Sequence, residues 1–114
     1  MLTTKEKGIL KSIIRHCERV EKTINNITED DFYKDENAKD VVCFNIFQIG
    51  ELAKKLPNEL LFKYQDVPWK DIKGMRDWVG HDYMTISFEI VWKSSSSDIT
   101  KLKEYCIFIL HDNE

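Results

Sequence analysis

Apolar residues near the start of the chain recur at intervals of three and four: Leu10, Ile13, Ile14, Cys17, Val20, Ile24 and Ile27. Lys11, Arg15, Glu18 and Lys22 fall largely outside that stripe. This spacing predicts a first helix of about six turns with one face in a core. Thr3 followed by Glu6 has the form of a capping box, which satisfies orphan amides where such a helix begins. A polar connection is expected over Thr28 to Asp35, then a second helix to about Leu56, because Pro57 cannot continue it. Between Val41 and Ile49 that helix is apolar on nearly every side (Val41, Val42, Cys43, Phe44, Ile46, Phe47, Ile49). A helix hydrophobic all round should be buried all round, and a second subunit over one face achieves that most easily in a small bundle. A homodimer with this helix at or near the interface is therefore expected; a central helix in a monomer is the other reading.

Pro57 to Gln65 reads as a short helical piece, and Pro68 suits the first position of a third helix, where its missing N–H costs nothing. Trp69, Ile72, Met75 and Val79 form the apolar stripe of that helix, whereas Lys73, Arg76, Asp77 and Gly80 recur on another face. Arg76 and Asp77 are thus expected to point away from the core. Asp82 to Ile86 reads as a loop. Ser87, with Glu89 in the first turn, begins a fourth helix to about His111, with Ile90, Val91, Ile99, Leu102, Cys106, Ile109 and Leu110 as its stripe. The run Ser94 to Ser97 predicts a weak or kinked turn there, with solvent or close packing on it, because serines compete for backbone hydrogen bonds. The fold expected is all-α: an up-and-down bundle of four main helices plus a short one, in one domain over residues 1–114.

Composition narrows the class. The chain has 114 residues, 42% apolar and 32% charged, with only four glycines and two prolines. That balance suits one soluble core and argues against a turn-rich β architecture. The longest apolar run, Cys106 to Leu110, is far below the ~20 residues needed to span a bilayer, so no membrane segment is expected. The opening MLTTKEKGIL lacks the apolar region of a signal peptide. Cys17, Cys43 and Cys106 are odd in number, far apart and without ligand spacing, so neither a disulfide framework nor a metal site is indicated. A reducing cytoplasm is expected, with the cysteines as small core residues. His16 and His111 flank apolar stripes and are expected at the surface without partners.

The net charge of −3 is not that of a typical nucleic-acid binder. It is unevenly spread, however: Glu29, Asp30, Asp31, Asp35, Glu36 and Asp40 are clustered, while Lys70, Lys73 and Arg76 lead into the stretch RDWVGHDY, Arg76 to Tyr83. There a cation, an imidazole and a phenol crowd into eight residues. A guanidinium beside an imidazole suits phosphodiester cleavage without a metal: a base for the 2′-hydroxyl, an acid for the leaving oxygen and a cation for the phosphoryl charge. His81 titrates in the useful range. Arg76 would hold the phosphate through its planar fork, Asp77 would orient Arg76 or a partner's histidine, and Lys70 and Lys73 are candidate RNA contacts. Each residue also has a bland reading: a hydrogen-bonded histidine, a surface pair of Arg76 with Asp77 or Asp82, a core tyrosine, solvated lysines.

RDWVGHDY matches the pattern RxxxxHxY. With IFQIGELAKKL upstream and VPWKDIKGMRDWVGHDYMTISFEIVW across the site, the chain resembles the HepT-like branch of the HEPN superfamily over most of its length. That resemblance implies a dimerising all-α bundle in which two copies of the motif line one cleft. It further implies a metal-independent endoribonuclease, without cofactor, acting as the toxin of a type VII toxin–antitoxin pair. Its partner would be an MntA-like nucleotidyltransferase that inactivates it by transferring AMP to the motif tyrosine. Carried onto this chain, Arg76 and His81 are the catalytic pair, Asp77 the supporting polar residue and Tyr83 the AMP acceptor. Two departures stand out: Asp77 where relatives often have Asn, and the serine run where larger residues are usual. The alternatives from other classes are a non-catalytic helical binding module and an antitoxin-like partner of a nucleotidyltransferase.

Overall fold

Thr3 caps the first helix as its spacing predicts. Its hydroxyl accepts from the Glu6 amide at 3.0 Å, and the Glu6 carboxylate accepts from the Thr3 amide at 3.2 Å. The computed structural model describes residues 1–80 and 86–114, and of residues 78–80 only the backbone. Within these residues the regular elements are six helices: α1 (Thr4–Ile24), α2 (Glu29–Lys34), α3 (Glu36–Lys54), α4 (Asn58–Lys63), α5 (Trp69–Gly80) and α6 (Phe88–Asp112). The fold is all-α, as expected. None of these helices is long and apolar enough to cross a membrane.

Packing follows the stripes. α1 lies against both α3 and α6, and α3 carries α5 on its other side. Leu10, Ile13, Cys17 and Val20 from α1, Val42, Ile46 and Ile49 from α3, and Val91, Ile99, Cys106 and Ile109 from α6 are fully or almost fully buried. Burial of each larger aliphatic side chain contributes about 1.5–3 kcal/mol. All three cysteines are buried free thiols, in keeping with a core role.

Several expectations need correction. The polar connection over Thr28 to Asp35 contains α2: the Thr28 hydroxyl accepts from the Asp31 amide at 3.1 Å, and the acidic first turn suits the positive end of a helix. Phe32 anchors α2; it is fully buried against Phe88 and Trp92 of α6. There are accordingly two short helices, α2 and α4, where one was expected. α6 passes through Ser94 to Ser97 without a break. Ser96 and Ser97 return hydrogen bonds to the carbonyls of Trp92 and Lys93, while Ser94 and Ser95 are buried, so small size rather than helix weakness explains them.

Ile90 is exposed and leaves the α6 stripe. His16 does have a partner. Its Nδ1 lies 2.6 Å from Oδ1 of the buried Asn45, whose amide nitrogen donates to the Val41 carbonyl at 2.7 Å. Because that second bond fixes the Asn45 amide, Oδ1 must face the imidazole, and His16 Nδ1 is the donor. His111 is exposed but within 3.2 Å of Glu114.

Candidate functional site

The site begins with the seating of α5. Trp69, Ile72 and Met75 are buried on its core face, and the Trp69 indole donates to the Tyr64 carbonyl at 3.0 Å, fixing the start of the helix. Two turns later α5 almost touches α3. A Cβ added at Gly50 would stand 2.9 Å from the Arg76 amide nitrogen and 3.0 Å from its Cβ. Only a residue without a side chain lets the two backbones come this near.

That approach lays Arg76 along α3 instead of away from the core, correcting the expected direction. Its side chain is 29% exposed. The guanidinium sits 5.3 Å from the centroid of the Phe47 ring, within cation–π range. Nε is buried and forms an ion pair with Oε1 of Glu51, without the alignment of a hydrogen bond. Nη1 donates to Oδ1 of Asp77 at 3.4 Å. Phe47, Gly50 and Glu51 stand at i, i+3 and i+4, so one face of α3 supplies an aromatic floor, a gap for the backbone and a carboxylate. From the sequence Phe47 reads only as part of the apolar helix, and Gly50 and Glu51 enter only within the stretch IFQIGELAKKL that carries the resemblance. A glycine costs roughly 1 kcal/mol in a helix interior, so Gly50 was itself the available signal of a close approach.

The remaining candidates are spread out. Asp77 is exposed beside Arg76. Lys73 is half-buried, roughly 60° around α5 from Arg76, while Lys70 lies roughly 120° away. Lys70 is exposed and borders a groove of about 600 Å³ between α5 and α6, together with Asp71, Gly74, Asp98 and Lys101. His81, Asp82 and Tyr83, and the loop expected over Asp82 to Ile86 up to residue 85, lie outside the described residues. The position of Val79 in the stripe does too, as far as its side chain is concerned.

Among the described residues no three His, Cys, Asp or Glu side chains converge as a metal site. Burial pushes the Cys43 thiol up to about 11 and the Cys106 thiol up to about 12, so neither is a thiolate near neutral pH. Beyond Arg76, α3 presents Val41 and Phe44 to solvent, 42% and 56% exposed. Phe44 packs edge-on against His16.

Comparison with known proteins identifies the family. The family model described as "Ribonuclease HepT-like" matches residues 13–109. "Putative RNase TTE0752" of Caldanaerobacter subterraneus subsp. tengcongensis is 34% identical over 95 residues, 83% of this chain and 85% of that protein. "Probable ribonuclease HepT" of Thermococcus cleftensis is 30% identical over 97 residues, 85% of this chain and 88% of that one. "Gamma-glutamylcyclotransferase and putative RNase MJ0434" of Methanocaldococcus jannaschii is 35% identical over 106 residues; they make 93% of this chain but 48% of that longer protein. No solved structure matches the chain significantly. With most of its length covered by the family model and by relatives of this similarity, the chain belongs to the HepT-like ribonuclease family of the HEPN superfamily.

Proposed function

We propose that this protein is a metal-independent endoribonuclease, the toxin of a HepT/MntA-like pair, with Arg76 and His81 as its catalytic residues. The observation that carries the reading is the seat of Arg76, a guanidinium half-shielded against α3 in a ribonuclease family and five residues before the motif histidine. Cleavage needs the 2′-hydroxyl proton removed, the 5′-oxygen protonated and the charge on phosphorus matched. His81 performs proton transfer, and Arg76 holds the phosphate and offsets the growing charge on its oxygens. Asp77 steadies the Nη1 side of Arg76, Lys73 on the adjoining flank of α5 contacts the RNA near the site, and Lys70 meets it farther off, at the groove between α5 and α6.

The active form is a homodimer joined over the exposed face of α3. Val41 and Phe44 are large apolar side chains in water, adjoining the face of α3 that carries Glu51, the partner of Arg76 on α5. Covering them with a second copy would bring two Arg76 residues to one cleft. Tyr83 is the AMP acceptor for a nucleotidyltransferase antitoxin. An added nucleotide there brings bulk and negative charge to the place where RNA phosphate enters.

Expression in a bacterial host tests the pairing. The wild type should arrest growth, His81→Ala should not, and co-expression of the cognate nucleotidyltransferase should relieve the arrest with AMP on Tyr83 by mass spectrometry. Arrest by the nucleotidyltransferase alone, relieved by this protein, would reverse the roles.

A further inference from the structure

Arg76 is the residue on which the ribonuclease reading turns, and its surroundings are more elaborate than phosphate binding requires. A surface arginine is ordinarily free to sweep a wide arc. Here the backbone is drawn in at Gly50, the guanidinium carbon lies 5.3 Å from the centre of the Phe47 ring, and Glu51 pairs with Nε. The carboxylate also lies 3.9 Å from Lys54 Nζ, so two cations face it. Glu51 touches Nε and Asp77 touches Nη1. A guanidinium held by its Nε edge presents its two amino groups in one fixed plane, which suits the paired oxygens of a phosphate.

We propose that Glu51, seated beside Phe47 and Gly50 on α3, is the positioning residue for Arg76 in RNA cleavage. The inference rests on the ribonuclease reading above. Glu51 acts through the arginine, trading some attraction for RNA against a guanidinium already aimed at the phosphoryl group. Removing its charge therefore has two opposed effects. The ground state binds RNA no worse, because one negative charge near the phosphates has gone. The transition state is reached less often, because the cation must now be ordered during the reaction.

Two measurements test this. The chain has three arginines, and Arg15 and Arg19 are exposed on α1, so the Nε–H signal of Arg76 is readily assigned by its loss in Arg76→Lys. In the wild type this signal should be displaced and slow to exchange with water relative to the other two; in Glu51→Gln it should join them. A wild-type signal indistinguishable from those of Arg15 and Arg19 would overturn the proposal whether or not the protein cleaves RNA. In steady-state cleavage, Glu51→Gln should lower kcat by about tenfold with KM unchanged or reduced, and should do less than twofold in an Arg76→Lys background. A loss of the same size in both backgrounds would mean a merely structural role and overturn the proposal. A protected Arg76 signal with no cleavage by the wild type would instead refute the ribonuclease reading, and with it any positioning for catalysis.

Discussion

Replacing Gly50 with alanine adds one methyl group where α3 and α5 meet. The added Cβ would lie 2.9 Å from the Arg76 nitrogen, 3.0 Å from its Cβ and 3.4 Å from its Cα. The obstacle is backbone, which cannot rotate aside, so α5 must move outward by some tenths of an ångström. Overpacking of this kind typically costs about 1–3 kcal/mol. Alanine is also the better helix former by about 1 kcal/mol, which works in the opposite direction. Gly8, exposed on α1, supplies the control, since a Cβ there would meet nothing within 4 Å. Gly8→Ala should therefore stabilise by about 0.5–1 kcal/mol, while Gly50→Ala should be neutral or destabilising. Because the propensity gain is common to both, the gap between them, about 1–3 kcal/mol, is the cost of the contact. Urea unfolding followed by circular dichroism measures both. Equal stabilisation by the two substitutions would refute the close approach at Arg76 and the cradle built on it.

Two further predictions concern distant features. Glu21 accepts hydrogen bonds from Thr100 and Lys103, both at 2.7 Å. Burial opposes its ionisation, but those bonds and the Lys103 charge outweigh burial and hold the carboxyl below its ordinary value of 4.5. A depressed folded-state pKa contributes stability above the unfolded value that is lost as pH falls through the folded one. Glu21→Gln should thus cost about 1 kcal/mol at neutral pH, with the gap to wild type closing as pH falls below 4.5 in denaturant titrations; a gap independent of pH would contradict this. If the chain dimerises over α3 as proposed, the wild type should sediment as a dimer and Phe44→Lys as a monomer with little change in melting temperature. A monomeric wild type would refute the dimer, and a dimeric Phe44→Lys would put the interface elsewhere than on α3.

What the sequence revealed follows from where its signals are periodic. The stripes of α1 and α6 are long enough to be read directly, and Thr3 with Glu6 marked a helix start to the residue. α2 escaped because six residues with one buried aromatic, Phe32, show no period, and its acidic residues resemble a linker. The serine run misled because low helix propensity was given more weight than the close packing that rewards small side chains at Ser94 and Ser95. The site was half legible. RDWVGHDY named Arg76, yet its side chain was assigned to the outer face because periodicity alone cannot register that Gly50 lets a neighbouring helix come close. Glu51 and Phe47 became part of the site only once α3 and α5 were laid side by side, a contact between residues 25 and more apart in sequence that no local pattern encodes.

The central claim is that this chain cuts RNA with an arginine and a histidine and needs no metal. Purified wild type and His81→Ala, matched for helical content by circular dichroism, should be incubated with total RNA in excess EDTA. Cleavage by the wild type alone is the predicted result. No cleavage by a wild type shown by mass spectrometry to carry no adduct on Tyr83, or equal cleavage by both proteins, would contradict the claim.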